Sequence, residues 1–378
     1  KLGVYNEVTC LDSPTSKYLG RDSFKINAIG PSKGPWNYSA TLIPWLLENS
    51  YRFDSIIIHG LWQYHSYAVN KVVRLLQKKS SDKNNPKLYV MPHGMLDPWF
   101  QQAKGRKLKA IRNWLYWKLI EGDVINEADG ILFTCEEELK LARIPFQPYH
   151  PKNEFNVGYG ILPPPEYNDD MYNALKEKCP EAADHPYILF LSRIDVKKGV
   201  DLLIRSYRKL KAERENLPKL IIAGPGMDGV YGKKMKELAA NDENIIFPGM
   251  LSGDAKWGAF YRCEAFILPS HQENFGIAVV EALACRKPVL ISSQVNIWNE
   301  INNGDAGLVE DDTLEGAYRL LNGWLNLPAS RRVDISNFAK AVYLKHFSTT
   351  EAAKQLIKTI NTEYAFPKST DSYELPRS

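Results

Sequence analysis

The sequence has no stretch approaching the roughly 18 to 20 uninterrupted apolar residues that a membrane-spanning helix needs, and no signal-peptide pattern opens it. The expectation is a chain that does not cross a bilayer. Cysteine is scarce. The five in 378 residues (Cys10, Cys135, Cys179, Cys263, Cys285) are odd in number, far apart and without the paired spacing of a zinc site or disulfide framework, which fits a reducing cytoplasm. An excess of one charge sign is also lacking. With 48 Lys and Arg against 44 Asp and Glu, the net charge is only +4, so nucleic-acid binding would need a concentrated patch, and no nucleic-acid partner is expected. No HExxH, paired CxxC, GxSxG or P-loop occurs, and no DxD-like dyad stands at a recognisable metal position. Zinc hydrolysis, serine hydrolysis and P-loop phosphoryl transfer therefore lack support, and neither a metal nor a cofactor is expected.

What is present is ordinary globular material, with 44% hydrophobic and 24% charged residues, in a chain longer than one core usually supports. Two α/β domains are expected. From about Tyr187, short runs rich in Ile, Leu and Val (YILFLSRI, KLIIAG, NIIFPG, AFILPS, PVLISS, AGLVE) alternate with segments of helical spacing, the rhythm of βαβ units around a parallel sheet. The first half repeats it with longer interruptions: EVTCLD, FKINAIG, SIIIHG, LYVMPHG, GILFTC and FNVGYGI read as strands. The run Leu162-Pro-Pro-Pro165 can be neither strand interior nor helix, so it marks the linker. The domains are thus 1–165 and 166–348. A helix at about Glu351 to Tyr364 is expected to pack back on the first domain, with a polar tail completing 349–378. Ligands of open parallel sheets bind beyond the strands' carboxyl ends, so the two domains are expected to face each other across a cleft.

Two segments carry chemistry. In SHQENFGIAVVEALA a strand ends and a helix is expected to begin at about Phe275, with Asn274 as N-cap; the helix N-terminus favours a phosphate, and Gly276 lets a ligand approach the backbone. Glu273 and Glu281, if the span were fully helical, would stand roughly 12 Å apart along the backbone. That separation disfavours a glycosidase-type pair and suits two carboxylates holding different hydroxyls of one long ligand. In SRIDVKKG, Arg193 ends a strand and Lys198 follows before Gly199. Alone these are two solvated cations. Beside the other segment they can stabilise the charge of a departing diphosphate. The loop GPGMDG, with Gly224, Gly226 and Gly229, falls short of a dinucleotide fingerprint.

The spacing Arg193-x4-Lys198-Gly199 followed by Glu273-x7-Glu281 resembles retaining glycosyltransferase family 4, of the GT-B fold. HGLWQYHS, PHGMLDPWF, LFTCEEE and FPGMLSGDAKWGAF extend the resemblance over nearly the whole chain, toward bacterial members associated with exopolysaccharide or cell-surface glycans. The resemblance implies a UDP- or GDP-sugar as cosubstrate and a glycan or lipid-linked sugar as acceptor. It implies Arg193 and Lys198 at the diphosphate, Glu281 at the ribose, and Glu273 at the sugar hydroxyls. The backbone from Asn274 through Phe275 and Gly276 to Ile277 would touch sugar and phosphate, with Met250 and Leu251 at the base and Gly94 and Gly224 completing the donor contacts. His93, at a strand end, would contact the transferred sugar. His59, Trp62, Tyr64 and Asp97 are acceptor candidates, the aromatic loop among them being equally suited to filling a domain interface. The family opens with a strand and a glycine-rich loop, whereas KLGVYNEVTCLDSP reads like its second strand, so the first βα unit is expected to be missing.

One patch stands apart: Lys104, Arg106, Lys107, Lys109 and Arg112 lead into Trp114, Leu115, Trp117 and Leu119. Such a segment is either an amphipathic core helix with solvated lysines or a peripheral contact with an anionic membrane at its inner face. For the whole chain, a sugar-nucleotide epimerase and a silent sugar-nucleotide-binding protein are the alternatives to a transferase.

Overall fold

A computed structural model describes residues 2–79, 85–103, 105–183 and 185–361. The chain divides into two compact units. The first comprises Lys1–Phe133, Leu141–Val157 and Leu356–Ser378, the second Thr134–Lys140 and Gly158–Gln355. The division falls between Val157 and Gly158, ahead of the proline run, and 162–168 carry no regular secondary structure.

The first unit holds β1 (Glu7–Cys10), β2 (Lys25–Ala28), β3 (Ser55–His59), β4 (Lys87–Met91), β5 (Gly130–Phe133) and β6 (Glu154–Asn156). The last four form one parallel sheet in the order β3-β4-β5-β6. β1 and β2 do not join it. They make a separate two-stranded parallel sheet, with no helix between them. The intervening residues include Asp12, Ser13, Pro14, Gly20 and Asp22, which favour turns over a helix. Helix α1 spans Tyr64–Lys79. Helix α2 (Lys107–Tyr116) runs through a π-helical turn, Trp117–Glu121, into α3 (Gly122–Glu127).

In the second unit β7 (Tyr187–Leu191), β8 (Lys219–Ala223), β9 (Ile245–Gly249), β10 (Ala265–Leu268), β11 (Val289–Ser292) and β12 (Gly307–Glu310) form one parallel sheet. Both faces of β10 and β11 are buried, which is why these strands are continuous apolar runs rather than alternating ones. Helices α4 (Val200–Glu213), α5 (Gly253–Arg262) and α6 (Ile277–Ala284) lie between strands. The order β12-β11-β10-β7-β8-β9 is that of the doubly wound Rossmann sheet. The chain starts at β7, moves outward to β9, and returns to β10 on the other side of β7. At that reversal the loops leaving β7 and β10 come side by side, the place where ligands of open parallel sheets bind.

Helix α7 spans Thr349–Asn361, and the last three residues of the expected helix lie, with the polar tail, outside the described residues. Its Leu356 and Ile360 pack against Tyr89, Met91, Leu132 and Val157 within the first unit. Among the described residues no helix is long and apolar enough to cross a membrane.

Candidate functional site

The two segments singled out by sequence are the two loops at the reversal of the second unit's sheet, following β7 and β10. After β7, the Ser192 N–H donates to the Ala223 carbonyl at 3.1 Å and the Ile194 N–H to that of Pro225 at 2.8 Å. This close approach needs Gly224: at its φ of +144° an added Cβ would fall 1.8 Å from the Ser192 carbonyl oxygen. Asp195 then accepts from the Lys197 N–H at 2.9 Å and starts one 3-10 turn, Val196–Lys198. Gly199, at φ +64°, reverses the chain where a Cβ would be 2.1 Å from the Pro269 carbonyl oxygen. The His271 N–H donates to the Lys197 carbonyl at 2.8 Å, fastening one loop to the other. Lys198 is consequently only 5% exposed, while Arg193 remains exposed.

After β10, Glu273 is held in a short parallel bridge with Val295: its N–H donates to Gln294 and its carbonyl accepts from the Asn296 N–H, both at 2.9 Å. Its carboxylate forms an ion pair with the Lys198 ammonium. Two of the predicted groups, 75 residues apart, therefore meet directly. The buried Lys198 ammonium is thereby charge-compensated by the Glu273 carboxylate.

The helix does not begin at Phe275 with an Asn274 cap. It begins at Ile277, and the capping position is Gly276 at φ +75°, a left-handed turn suited to glycine. Asn274 is otherwise engaged: its Nδ2 donates to Thr134 Oγ1 at 3.2 Å and its Oδ1 accepts from Asn296 at 3.4 Å. Phe275 is buried edge-on against Tyr159 and Phe347, leaving only its backbone for a ligand. The fully helical span assumed for Glu273 and Glu281 is thus interrupted, and the 12 Å spacing drawn from it does not apply. The first N–H groups of α6 have no intrahelical acceptor and carry the positive end of its dipole, which suits an anion. Ile277 is exposed at this end.

Glu281 has a partner the sequence reading missed. Lys256, on α5, donates to its Oε1 at 2.8 Å and stands 4.0 Å from the centre of the Trp257 ring. No motif marks Lys256; it reads as one more helix lysine. His271 and Asp312, joined at 2.8 Å, were missed for the same reason. Between β9 and α5, Met250 is exposed and Leu251 buried, so the two base-site candidates present opposite surfaces.

In the first unit His59 ends β3 and His93 follows β4. His59 Nδ1 lies 2.9 Å from His93 Nε2, with the rings stacked at 5.2 Å. One nitrogen must carry the proton the other accepts. Burial, with the neighbouring His93 adding to it, pushes His59 down to about 4, and burial lowers His93 as well, so the pair is neutral at pH 7. His93 and Gly94 both have left-handed backbones (φ 52° and 77°), which turns the chain sharply after β4. Tyr64 is not a loop residue as expected. It opens α1 and is buried edge-on against Trp36 and Tyr38. Trp62, at φ 70°, packs on Phe146 and Tyr116, and its N–H donates to the buried Glu121 at 3.2 Å. Asp97 is buried and accepts from the Trp99 N–H at 2.8 Å. Much of this loop chemistry is spent on packing.

Residues 172–342 match the family model described as Glycosyl transferases group 1. An uncharacterised glycosyltransferase of Methanocaldococcus jannaschii is 30% identical over 179 residues, covering 46% of this chain and 44% of that one. The lipopolysaccharide 1,2-N-acetylglucosaminetransferase of Salmonella typhimurium is 25% identical over 198 residues, 50% of this chain and 51% of the other. The chain thus spans about half the length of these curated relatives. A glycosyltransferase from Rickettsia africae superposes with a TM-score of 0.69 at 16% identity, over 96% of this chain and 92% of its own. Anabaena HepE, solved with UDP and glucose, gives 0.64 at 15% identity over 89% and 86%. The fold is therefore α/β of the GT-B type, with two Rossmann-like units built on parallel sheets.

Proposed function

We propose that the protein is a retaining glycosyltransferase of family 4 that transfers a sugar from a nucleotide diphosphate to a hydroxyl acceptor in exopolysaccharide or cell-surface glycan assembly. The observation that carries the reading is the Lys198–Glu273 pair, set where the loops after β7 and β10 meet and just ahead of the N-terminus of α6. A phosphate-seeking ammonium, a hydroxyl-seeking carboxylate and a positive helix end stand on two adjoining loops. The group 1 match over 172–342, which spans both loops, supports it too.

In this reading Arg193, Lys198 and the first N–H groups of α6 stabilise the departing diphosphate, Glu273 holds the sugar hydroxyls, and Glu281, fixed by Lys256, holds the ribose. The bond from the anomeric carbon to the diphosphate oxygen breaks as the acceptor oxygen bonds that carbon on the same face. The acceptor proton passes to the departing diphosphate, and no metal takes part. His93 is assigned to the transferred sugar, with His59 fixing its tautomer. The donor is a UDP- or GDP-sugar, a choice consistent with the UDP and glucose bound by Anabaena HepE. The acceptor is a glycan or lipid-linked sugar, met on the cytoplasmic side of an anionic membrane.

A thermal-shift screen against UDP, GDP, ADP and their sugars tests the reading, because a ligand specific to the folded state stabilises it by mass action. UDP or GDP is expected to raise the melting temperature, and no shift from any of them contradicts the assignment. Following the stabilising donor by nuclear magnetic resonance without acceptor adds a second check: a new sugar nucleotide would mean an epimerase.

A further inference from the structure

Helix α2 and its π turn are built inside out. Asn113, Trp117 and Glu121, four residues apart, are the buried side chains, and two of these three are polar. At about 100° per residue the opposite side carries Leu108, Ile111, Leu115 and Leu119. These are 84%, 57%, 48% and 76% exposed. The π turn admits its extra residue just after Tyr116, and Leu119 still continues the row. A groove of about 380 Å³ runs along this row, bordered by Arg112 and Tyr116. An ordinary surface helix turns its leucines inward and its charges outward.

The flanks say what covers the row. Lys107 and Lys118 lie with Trp114 along one side, Lys109 and Arg112 along the other, all exposed. Residues 105–120 contain no Asp or Glu. Two copies of this surface packed together would bring like charges together, and a neutral apolar partner would leave the cations without a role. An anionic lipid surface satisfies both parts: leucines and Trp114 enter the acyl boundary, while the lysine and arginine stems reach back to the phosphates. We propose that α2 with its π turn is an in-plane membrane dock selective for anionic lipid. The proposal deepens the reading above, on which only the lipid-linked acceptor depends. Lys104 of the expected patch lies outside the described residues.

The test is sedimentation of the full chain with phosphatidylcholine vesicles, with and without phosphatidylglycerol. Wild type is expected to pellet with the anionic vesicles at low salt and to be released as salt rises. A Leu108→Glu/Leu119→Glu double variant, altered only at exposed positions, and a Lys107→Gln/Lys109→Gln variant should each lose more than about tenfold in vesicle affinity. Failure of wild type to pellet at low salt, or pelleting of the leucine variant as well as wild type, overturns the proposal. So does a concentration-dependent dimer in gel filtration that the leucine variant dissolves, because that assigns the row to a second copy. Nucleotide binding by the same samples separates the two ideas: vesicle binding without nucleotide stabilisation refutes the transferase reading and leaves the dock standing.

Discussion

Glu121 offers a quantitative test of the first unit's electrostatics. Its side chain is fully buried in the π turn, where Oε2 accepts from the Trp62 N–H at 3.2 Å and Ser66 Oγ at 3.1 Å and Oε1 has no partner. Burial outweighs these two hydrogen bonds and raises its pKa from the ordinary 4.5 to about 7. A raised carboxylate pKa means the folded state holds the proton more tightly than the unfolded state. Stability from this group is therefore fully present below about pH 4.5 and is lost as pH rises through 7. At about 1.4 kcal/mol per pH unit, the interval amounts to about 3 kcal/mol. Glu121→Gln keeps an acceptor for Trp62 and Ser66 but cannot ionise. It also places an amide where Oε1 found no partner, so the level of stability is a poor readout and its pH slope is the informative one. Urea unfolding of both proteins between pH 5 and 8 is expected to show a wild-type-minus-variant difference that falls by roughly 2 to 3 kcal/mol across the range. His59, whose pKa is lowered to about 4, acts with the opposite sign, losing stability as pH falls from 6.5. It is common to both proteins and cancels. A difference flat with pH would refute the claim that Glu121 is a desolvated acid.

Two further outcomes follow from the second unit. Gly224→Ala would drive a Cβ into the Ser192 carbonyl and should destabilise by about 3 kcal/mol or displace the Arg193 loop, whereas Gly229→Ala, at φ −73° and 3.4 Å from its nearest neighbour, should be near neutral in the same denaturation assay. Equal effects of the two would mean that the close approach of the loops is absent. Lys256→Ala frees the Glu281 carboxylate and is expected to weaken nucleotide binding roughly fivefold by calorimetry, about 1 kcal/mol for a charged hydrogen bond acting through a second residue. Unchanged affinity would remove Lys256 from the site.

What was legible in the sequence was whatever the chain writes locally. YILFLSRI, AFILPS and PVLISS announce themselves because a parallel sheet buries both faces of its strands, and β7 and β10 appeared where those runs predicted. Their loops were legible because Arg193, Lys198 and Glu273 stand just beyond the strand ends. EVTCLD and FKINAIG were legible as strands, but not their pairing apart from the first unit's larger sheet, since period alone does not say which sheet a strand joins. Asn274 was misplaced because its preference for caps is a local rule, and bonds to Thr134 and Asn296 override it. Lys256, His271 and Glu121 stayed hidden because their meaning comes from partners 25, 41 and 59 residues away. The outward leucines of α2 were visible as a pattern, yet only the burial of Asn113 and Glu121 showed which side faced the solvent.

The central claim is that Lys198 leaves Glu273 for a diphosphate at the paired loops after β7 and β10. Calorimetric titration of UDP and GDP into wild type and Lys198→Ala tests it most directly. The account predicts that the nucleotide bound by wild type loses at least about thirtyfold in affinity, roughly 2 kcal/mol for removing one partner of a buried charge pair. Equal affinity in the two proteins would contradict it.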